Sequence, residues 1–168
     1  EAYKILETCY ENGGKLLIAG NGGSCADAEH IVGELMKGFV KRRPVSQDFA
    51  KALLEADPKR GEELAKKLQG GLPAISLTGH PSLSTAYLTY AQQTYGYGKK
   101  GDVFLGLSTS GNARNIMYAM AAAKALGMKT IGLTGKDGGE LKKEADVAIV
   151  VPEQETFKIQ ELHLPVYH

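Results

Sequence analysis

Cysteine is nearly absent: the 168-residue chain has two, Cys9 and Cys25, with no C-x-x-C spacing. That excludes a disulfide framework and a structural zinc knuckle, and with no signal-like start a reducing, cytoplasmic setting is expected. Charge of one sign is missing too. Twenty Lys and Arg stand against nineteen Asp and Glu, so no overall field draws the chain to nucleic acid or to an anionic membrane. No apolar run approaches the roughly 20 residues that cross a bilayer, and there is no low-complexity tract. What is present, 43% hydrophobic and 23% charged residues, is an ordinary globular composition, long enough for one good core. Residues 1–168 are read as a single domain with a small-molecule or protein partner. The chain opens without Met and stops at His168 inside a helical pattern, so further residues are expected at both ends.

Five short runs are continuously apolar: 16–19, 74–77, 103–107, 130–133 and 147–151. Unbroken apolarity, rather than alternation, marks strands buried on both faces. Between them lie helical patterns, at 24–39, 61–69, 115–126 with Gly127 as its C-terminal cap, and from Thr156 onward. Strand, loop and helix in this repeat predict an α/β fold with a parallel sheet between two helical layers. The polar stretch 41–58, with two prolines, reads as a surface excursion. In such sheets ligands bind beyond the C-terminal ends of the strands.

Two loops there have the chemistry for an anion. Gly20-Asn21-Gly22-Gly23-Ser24 follows the first run, with glycines that let backbone approach a ligand and Ser24 as a helix cap. A plain strand-to-helix turn has the same composition. Ser108-Thr109-Ser110-Gly111-Asn112 follows the third run and gathers three hydroxyls where a helix opens, more than a cap requires. A dinucleotide fingerprint is disfavoured, because Cys25 stands at the third glycine position and Leu77-Thr78-Gly79 lacks the acidic residue a ribose needs.

His30 and Glu34, four apart, share a helix face and could bind a metal or exchange protons; an ordinary surface pair has the same spacing. Near the end, Gln160 and His168 fall within about 80° of one another on a straight helix. Pro165 between them argues for a kink or an early helix end.

Taken together, GNGGSCADAEHIVGEL at 20–35, STSGN at 108–112, GLTGKDGG at 132–139 and IQELH with the terminal His resemble the phosphoheptose isomerases of the sugar isomerase (SIS) family. The resemblance covers most of the chain. It implies a single SIS domain, a three-layer αβα sandwich around a five-stranded parallel sheet, assembled as a homotetramer with sites between subunits. It implies a zinc site at His30, Glu34, Gln160 and His168, an acid/base pair of Glu34 and His168, and sugar-phosphate contacts from Asn21, Gly22, Ser24, Ser108, Thr109, Ser110 and Gln160. The implied reaction turns sedoheptulose 7-phosphate into D-glycero-D-manno-heptose 7-phosphate. Such an isomerisation passes through an enediol and needs a base, an acid and stabilisation of an oxyanion, which suits these residue types.

Ala113 departs from the family, where a Ser often follows STSGN, and the family's Asn-Asp loop after the second strand has no counterpart in 83–92. A different function class, a noncatalytic SIS module that binds a sugar phosphate or a replication-initiator protein, shares the fold and much of the loops. Retention of all four polar groups favours the enzyme.

Overall fold

The computed structural model describes residues 1–83 and 88–168. The five apolar runs are strands, each within one residue of its expected ends: β1 (Leu16–Gly20), β2 (Ala74–Ser76), β3 (Val103–Ser108), β4 (Lys129–Thr134) and β5 (Val147–Val150). They form one all-parallel sheet in the order β2-β1-β3-β4-β5. The inner strands β1 and β3 are buried at every position, which is why they lack polar alternation.

Eight helices accompany them among the described residues: α1 (Ala2–Glu11), α2 (Gly23–Met36), α3 (Gln47–Ala56), α4 (Gly61–Lys67), α5 (Thr89–Tyr97), α6 (Arg114–Ala125), α7 (Gly139–Glu144) and α8 (Thr156–Tyr167). Side chains alternate across a strand, so Leu17, Ala19 and Phe104 share one sheet face. There they pack with Ile116, Ala119, Met120 and Ala123 of α6 and Leu141 of α7. Leu16, Ile18, Val103 and Leu105 point the other way and are as well buried. On that face α1 packs against β3 and α8 against β4. The result is a three-layer αβα arrangement.

The chain leaves β1 toward β2 on one side and returns to β3, then β4 and β5, on the other. The strand order therefore reverses between β1 and β3. A crevice opens at such a reversal, between loops that depart in opposite directions from the C-terminal strand ends. Those are the loops after Gly20 and after Ser108, the two singled out for anion chemistry.

Two compact units are distinguished, 1–32 with 73–168, which holds the whole sheet, and 33–72. In the second, Arg43 donates from Nε to the Gly70 carbonyl at 2.8 Å and from Nη2 to the Leu35 carbonyl at 2.7 Å. The stretch 41–58 is not only a surface excursion: it carries α3, capped by Ser46, whose Oγ accepts from the Phe49 N–H at 3.2 Å. Its ten residues bury none of their side chains, and its short apolar stripe of Phe49, Ala50, Leu53 and Leu54 was passed over between flanking prolines and charged residues. Part of the loop 83–92, where the family's Asn-Asp loop has no counterpart, lies outside the described residues. Among the described residues no helix is long and apolar enough to cross a membrane.

Candidate active site

The glycine turn after β1 enters α2 two residues sooner than Ser24 as a cap would require. Gly22 takes φ of 55°, a left-handed conformation open to glycine at little cost, and the helix begins at Gly23 with Ser24 already inside its first turn and buried. The Ser108–Asn112 turn is tighter. Gly111 has φ of 67°, and a Cβ there would collide with the Gly138 carbonyl. Asn112 clasps the turn, donating from Nδ2 to the Ser110 carbonyl at 2.9 Å and accepting at Oδ1 from the Glu140 N–H at 3.0 Å. The helix behind it, α6, starts at Arg114, within one residue of its expected start, and Ser108 Oγ accepts from the Ala113 N–H just before it at 3.4 Å.

Neither α2 nor α6 has an acidic residue in its first turn, so both helix N-termini keep their positive end for a ligand. Ser108 is buried, Thr109 and Ser110 half-buried, and Asn21 and Gly22 exposed. A bond across the crevice ties the two loops together: Asn21 and Asn115 each donate an amide N–H to the other's carbonyl oxygen at 2.9 Å. Beside this pair is an open cavity of about 340 Å³ lined by Asn21, Ala113, Arg114, Asn115 and Tyr118. Tyr90 of α5 closes the turn from behind, its hydroxyl donating to the Gly20 carbonyl at 2.8 Å, and burial pushes its ionisation upward.

The helices α2 and α8 run side by side in the same direction. Gln160 lies over the start of α2, where a Cβ on Gly23 would sit 2.5 Å from its Nε2. At the far end the His30 and His168 rings meet edge to face, 5.0 Å between centroids. The expected early end at Pro165 is not found. Pro165 lies in the last turn, where its missing donor costs a single bond, and α8 continues to Tyr167. His168 thus stays in register, its N–H bonded to the Leu164 carbonyl at 3.3 Å. Because α2 is unbroken from Gly23 to Met36, Glu34 keeps the place one turn beyond His30 that helical geometry gives it.

His30, Glu34 and His168 each offer one ligand atom, and these atoms lie within 4.8 Å of one another. Two imidazoles and a carboxylate, in a partly exposed setting, are a donor set that fits a divalent cation such as zinc. Gln160 stands at the glycine turn, and seven residues of α2, about 10 Å at 1.5 Å per residue, separate Gly23 from His30.

Three further residues surround the imidazoles. The Tyr167 hydroxyl lies 3.2 Å from Asp27 Oδ1 and 3.1 Å from His30 Nδ1. Burial raises the Asp27 carboxyl, against the pull of the Tyr167 hydrogen bond and of nearby His163 and His30. His163 is fully buried; neither ring nitrogen completes a good hydrogen bond among the described residues, though the Thr134 backbone lies close. Sequence reading passed over Asp27, Tyr167 and Asn115. Helical spacing held the signal for the first, one turn before His30; the pairing of Asn115 with Asn21 spans 94 positions and left none.

Similarity to known proteins agrees with this architecture. The SIS domain family matches residues 64–135. The phosphoheptose isomerase of a Nitratiruptor species is 41% identical, over 94% of this chain and 74% of its own length. That of Sulfurimonas denitrificans is 37% identical, over all of this chain and 76% of its own. Among solved structures, phosphoheptose isomerase GmhA from Neisseria gonorrhoeae superposes with a TM-score of 0.77 at 32% identity, over 99% of this chain and 79% of that one. The phosphoheptose isomerase from Francisella tularensis gives a TM-score of 0.79 at 32% identity, with the same coverage. With relatives 37% to 41% identical over 94% or more of this chain and about three quarters of their own length, the chain belongs to the phosphoheptose isomerase family and is an isomerase built on the SIS fold.

Proposed function

We propose that the protein interconverts sedoheptulose 7-phosphate and D-glycero-D-manno-heptose 7-phosphate, with the reacting carbons beside Glu34 and His168. The observation that carries this reading is the meeting of His30, Glu34 and His168 at one end of α2 and α8, while the anion loops lie at the other. An extended heptose phosphate has two ends to be recognised. Ser108, Thr109 and Ser110, with the α6 N-terminus, are suited to its phosphate. Asn21, Gly22, Ser24 and Gln160, around the start of α2, are suited to its hydroxyls.

Conversion of the ketose removes a proton from C1 and returns one to C2 through an enediol. A carboxylate such as Glu34 can take the carbon-bound proton, and the His168 imidazole can give and recover the proton on oxygen. His30, Glu34 and His168 would hold zinc, which would supply polarisation of the substrate oxygens. The chain's own part is to orient the sugar and to move protons at Glu34 Oε and the His168 ring, a use with which ligation of zinc by the same two groups would compete. A cytoplasmic protein acting as a homotetramer, with 1–168 as one SIS domain of each subunit, completes the proposal.

The test is turnover of sedoheptulose 7-phosphate followed by NMR, with and without added zinc, for the wild type, Glu34→Gln and His168→Ala. Aldose formation by the wild type and its loss in both variants are expected. A wild type that binds the sugar phosphate without converting it would overturn the reading.

A further inference from the structure

A cavity of about 170 Å³ lies where the loop after β2 meets α5 and α6, lined by Leu77, Thr78, His80, Thr89, Tyr90 and Asn115. The reaction just proposed gives none of them a chemical task. Five of the six carry a hydroxyl, an amide or an imidazole, and none a carboxylate, an ammonium or a guanidinium. Such walls suit a neutral polar ligand better than a metal ion. Two of the hydroxyls have given their single hydrogens inside the protein, Thr78 Oγ1 to Glu29 Oε1 at 3.0 Å and Tyr90 Oη to the Gly20 carbonyl at 2.8 Å. Thr78 Oγ1 also accepts from Ser76 Oγ at 2.6 Å and keeps a second lone pair. What these oxygens still offer is acceptors, which a ligand's hydroxyls satisfy and an oxyanion does not. His80 is half-buried and held in place, its ring tilted 32° against that of Tyr97 at 5.9 Å between centroids and its carbonyl accepting from the Leu83 N–H at 3.0 Å. Among the described residues neither nitrogen of its ring has a hydrogen-bond partner. A neutral imidazole brings one donor and one acceptor, the complement of a hydroxyl group.

We infer that this cavity is a second binding site, for a short hydroxylated carbon chain recognised by His80, and that its occupant acts on the Gly20–Ser24 turn. At about 30 Å³ for each water of the liquid, the volume suits about five or six non-hydrogen atoms, the size of glycerol. Two of the walls hold the turn: Asn115 exchanges amide hydrogen bonds with Asn21 at 2.9 Å, and Tyr90 is bonded to the Gly20 carbonyl. A ligand that touches Asn115 and Tyr90 therefore bears on the residues placed around the sugar. Such coupling is reciprocal, so a sugar phosphate bound at the turn changes the affinity of the cavity by the same factor. The coupling rests on the proposed use of the turn; occupancy of the cavity does not. The hydroxylated chain has two possible sources, a free small polyol or the carbon chain of the sugar phosphate itself.

The experiment titrates glycerol into 13C- and 15N-labelled protein at about pH 8, where an ordinary imidazole is neutral. The His80 ring signals and the Asn115 side-chain amide signals are identified by their loss in His80→Phe and Asn115→Asp. Glycerol is expected to shift both sets saturably, while inorganic phosphate, which the Ser108–Ser110 turn is suited to take, leaves His80 in place. His80→Phe keeps a ring against Tyr97 and removes both nitrogens, so its Asn115 signals are expected to need about 5-fold more glycerol or more. Sedoheptulose 7-phosphate tells the two sources apart. If the sugar's own chain fills the cavity, the sugar phosphate alone shifts His80 and glycerol competes with it. If a free polyol does, glycerol still binds the sugar-phosphate complex and changes KM, an effect lost in His80→Phe. Shifts that grow in proportion to glycerol without saturating, a His80 response to phosphate in place of glycerol, or an unaltered titration in His80→Phe would overturn the inference. A protein that converts no sugar phosphate yet shows the saturable His80 shift would overturn the proposed reaction and leave the cavity's role standing.

Discussion

Asn21 and Asn115 face one another across the point where the strand order reverses and exchange two amide hydrogen bonds of 2.9 Å, one in each direction. The pair joins the glycine turn after β1 to the first turn of α6, the two loops assigned to the sugar and the phosphate. Removing one partner loses about 1 kcal/mol per bond and lets the turn move. Asn115→Ala is therefore expected to raise KM for the sugar phosphate about 5- to 10-fold, with a smaller effect on kcat. Equal loss in both parameters would show that the pair serves the reaction itself.

In the proposed function binding and chemistry separate along α2 and α8, so substitutions at the two ends should act differently. Ser110→Ala removes a hydroxyl from the anion loop and is expected to weaken sugar-phosphate binding with turnover largely kept. Glu34→Gln keeps the shape and removes the proposed base, and is expected to lower kcat about 100-fold or more. Isothermal titration beside steady-state kinetics distinguishes the two. Parallel loss of binding in both would contradict the division.

Fully buried His163 gives the fold an acid-sensitive element. Burial, opposed by the Thr134 backbone and Asp27, holds its pKa below the usual 6.5. Above that pH both folded and unfolded chains carry it neutral and it adds no pH dependence. As pH falls below about 6.5 the unfolded chain takes up the proton first, so stability declines until the folded pKa is passed. The urea midpoint of His163→Leu should fall less between about pH 7 and pH 5 than that of the wild type. Parallel midpoints would contradict this account.

Asp102 is fully buried and gathers the starts of two strands. It accepts from the Lys15 N–H and the Lys99 N–H, both at 2.9 Å, and from Lys15 Nζ at 2.5 Å. Asp102→Ala leaves two backbone donors and a partly covered ammonium without it, and should cost about 3 kcal/mol in urea unfolding. A loss below about 1 kcal/mol would show that water replaces the carboxylate there.

The sheet was legible because its strands are buried on both faces, and short continuous runs such as Leu16–Ala19 and Val103–Leu107, bounded by turn residues, suit a doubly covered strand better than a helix. Helix α6 was legible for its length and for Gly127, which takes φ of 74° just past its end. Helices α1, α3, α5 and α7 were not. They run only six to ten residues, so each offers at most a few apolar positions to a periodic reading. His30 and Glu34 could be paired from spacing. That His168 would meet them depended on α8 continuing through Pro165, which local rules oppose. The place of Gln160 over the start of α2 followed only from the parallel course of α2 and α8.

The central claim, that side chains on α2 and α8 move protons on the sugar, is tested most directly by conversion of sedoheptulose 7-phosphate in D2O. The account predicts deuterium at C2 of the aldose formed by the wild type, and little aldose from Glu34→Gln. An aldose carrying protium at C2, formed by Glu34→Gln as fast as by the wild type, would contradict it.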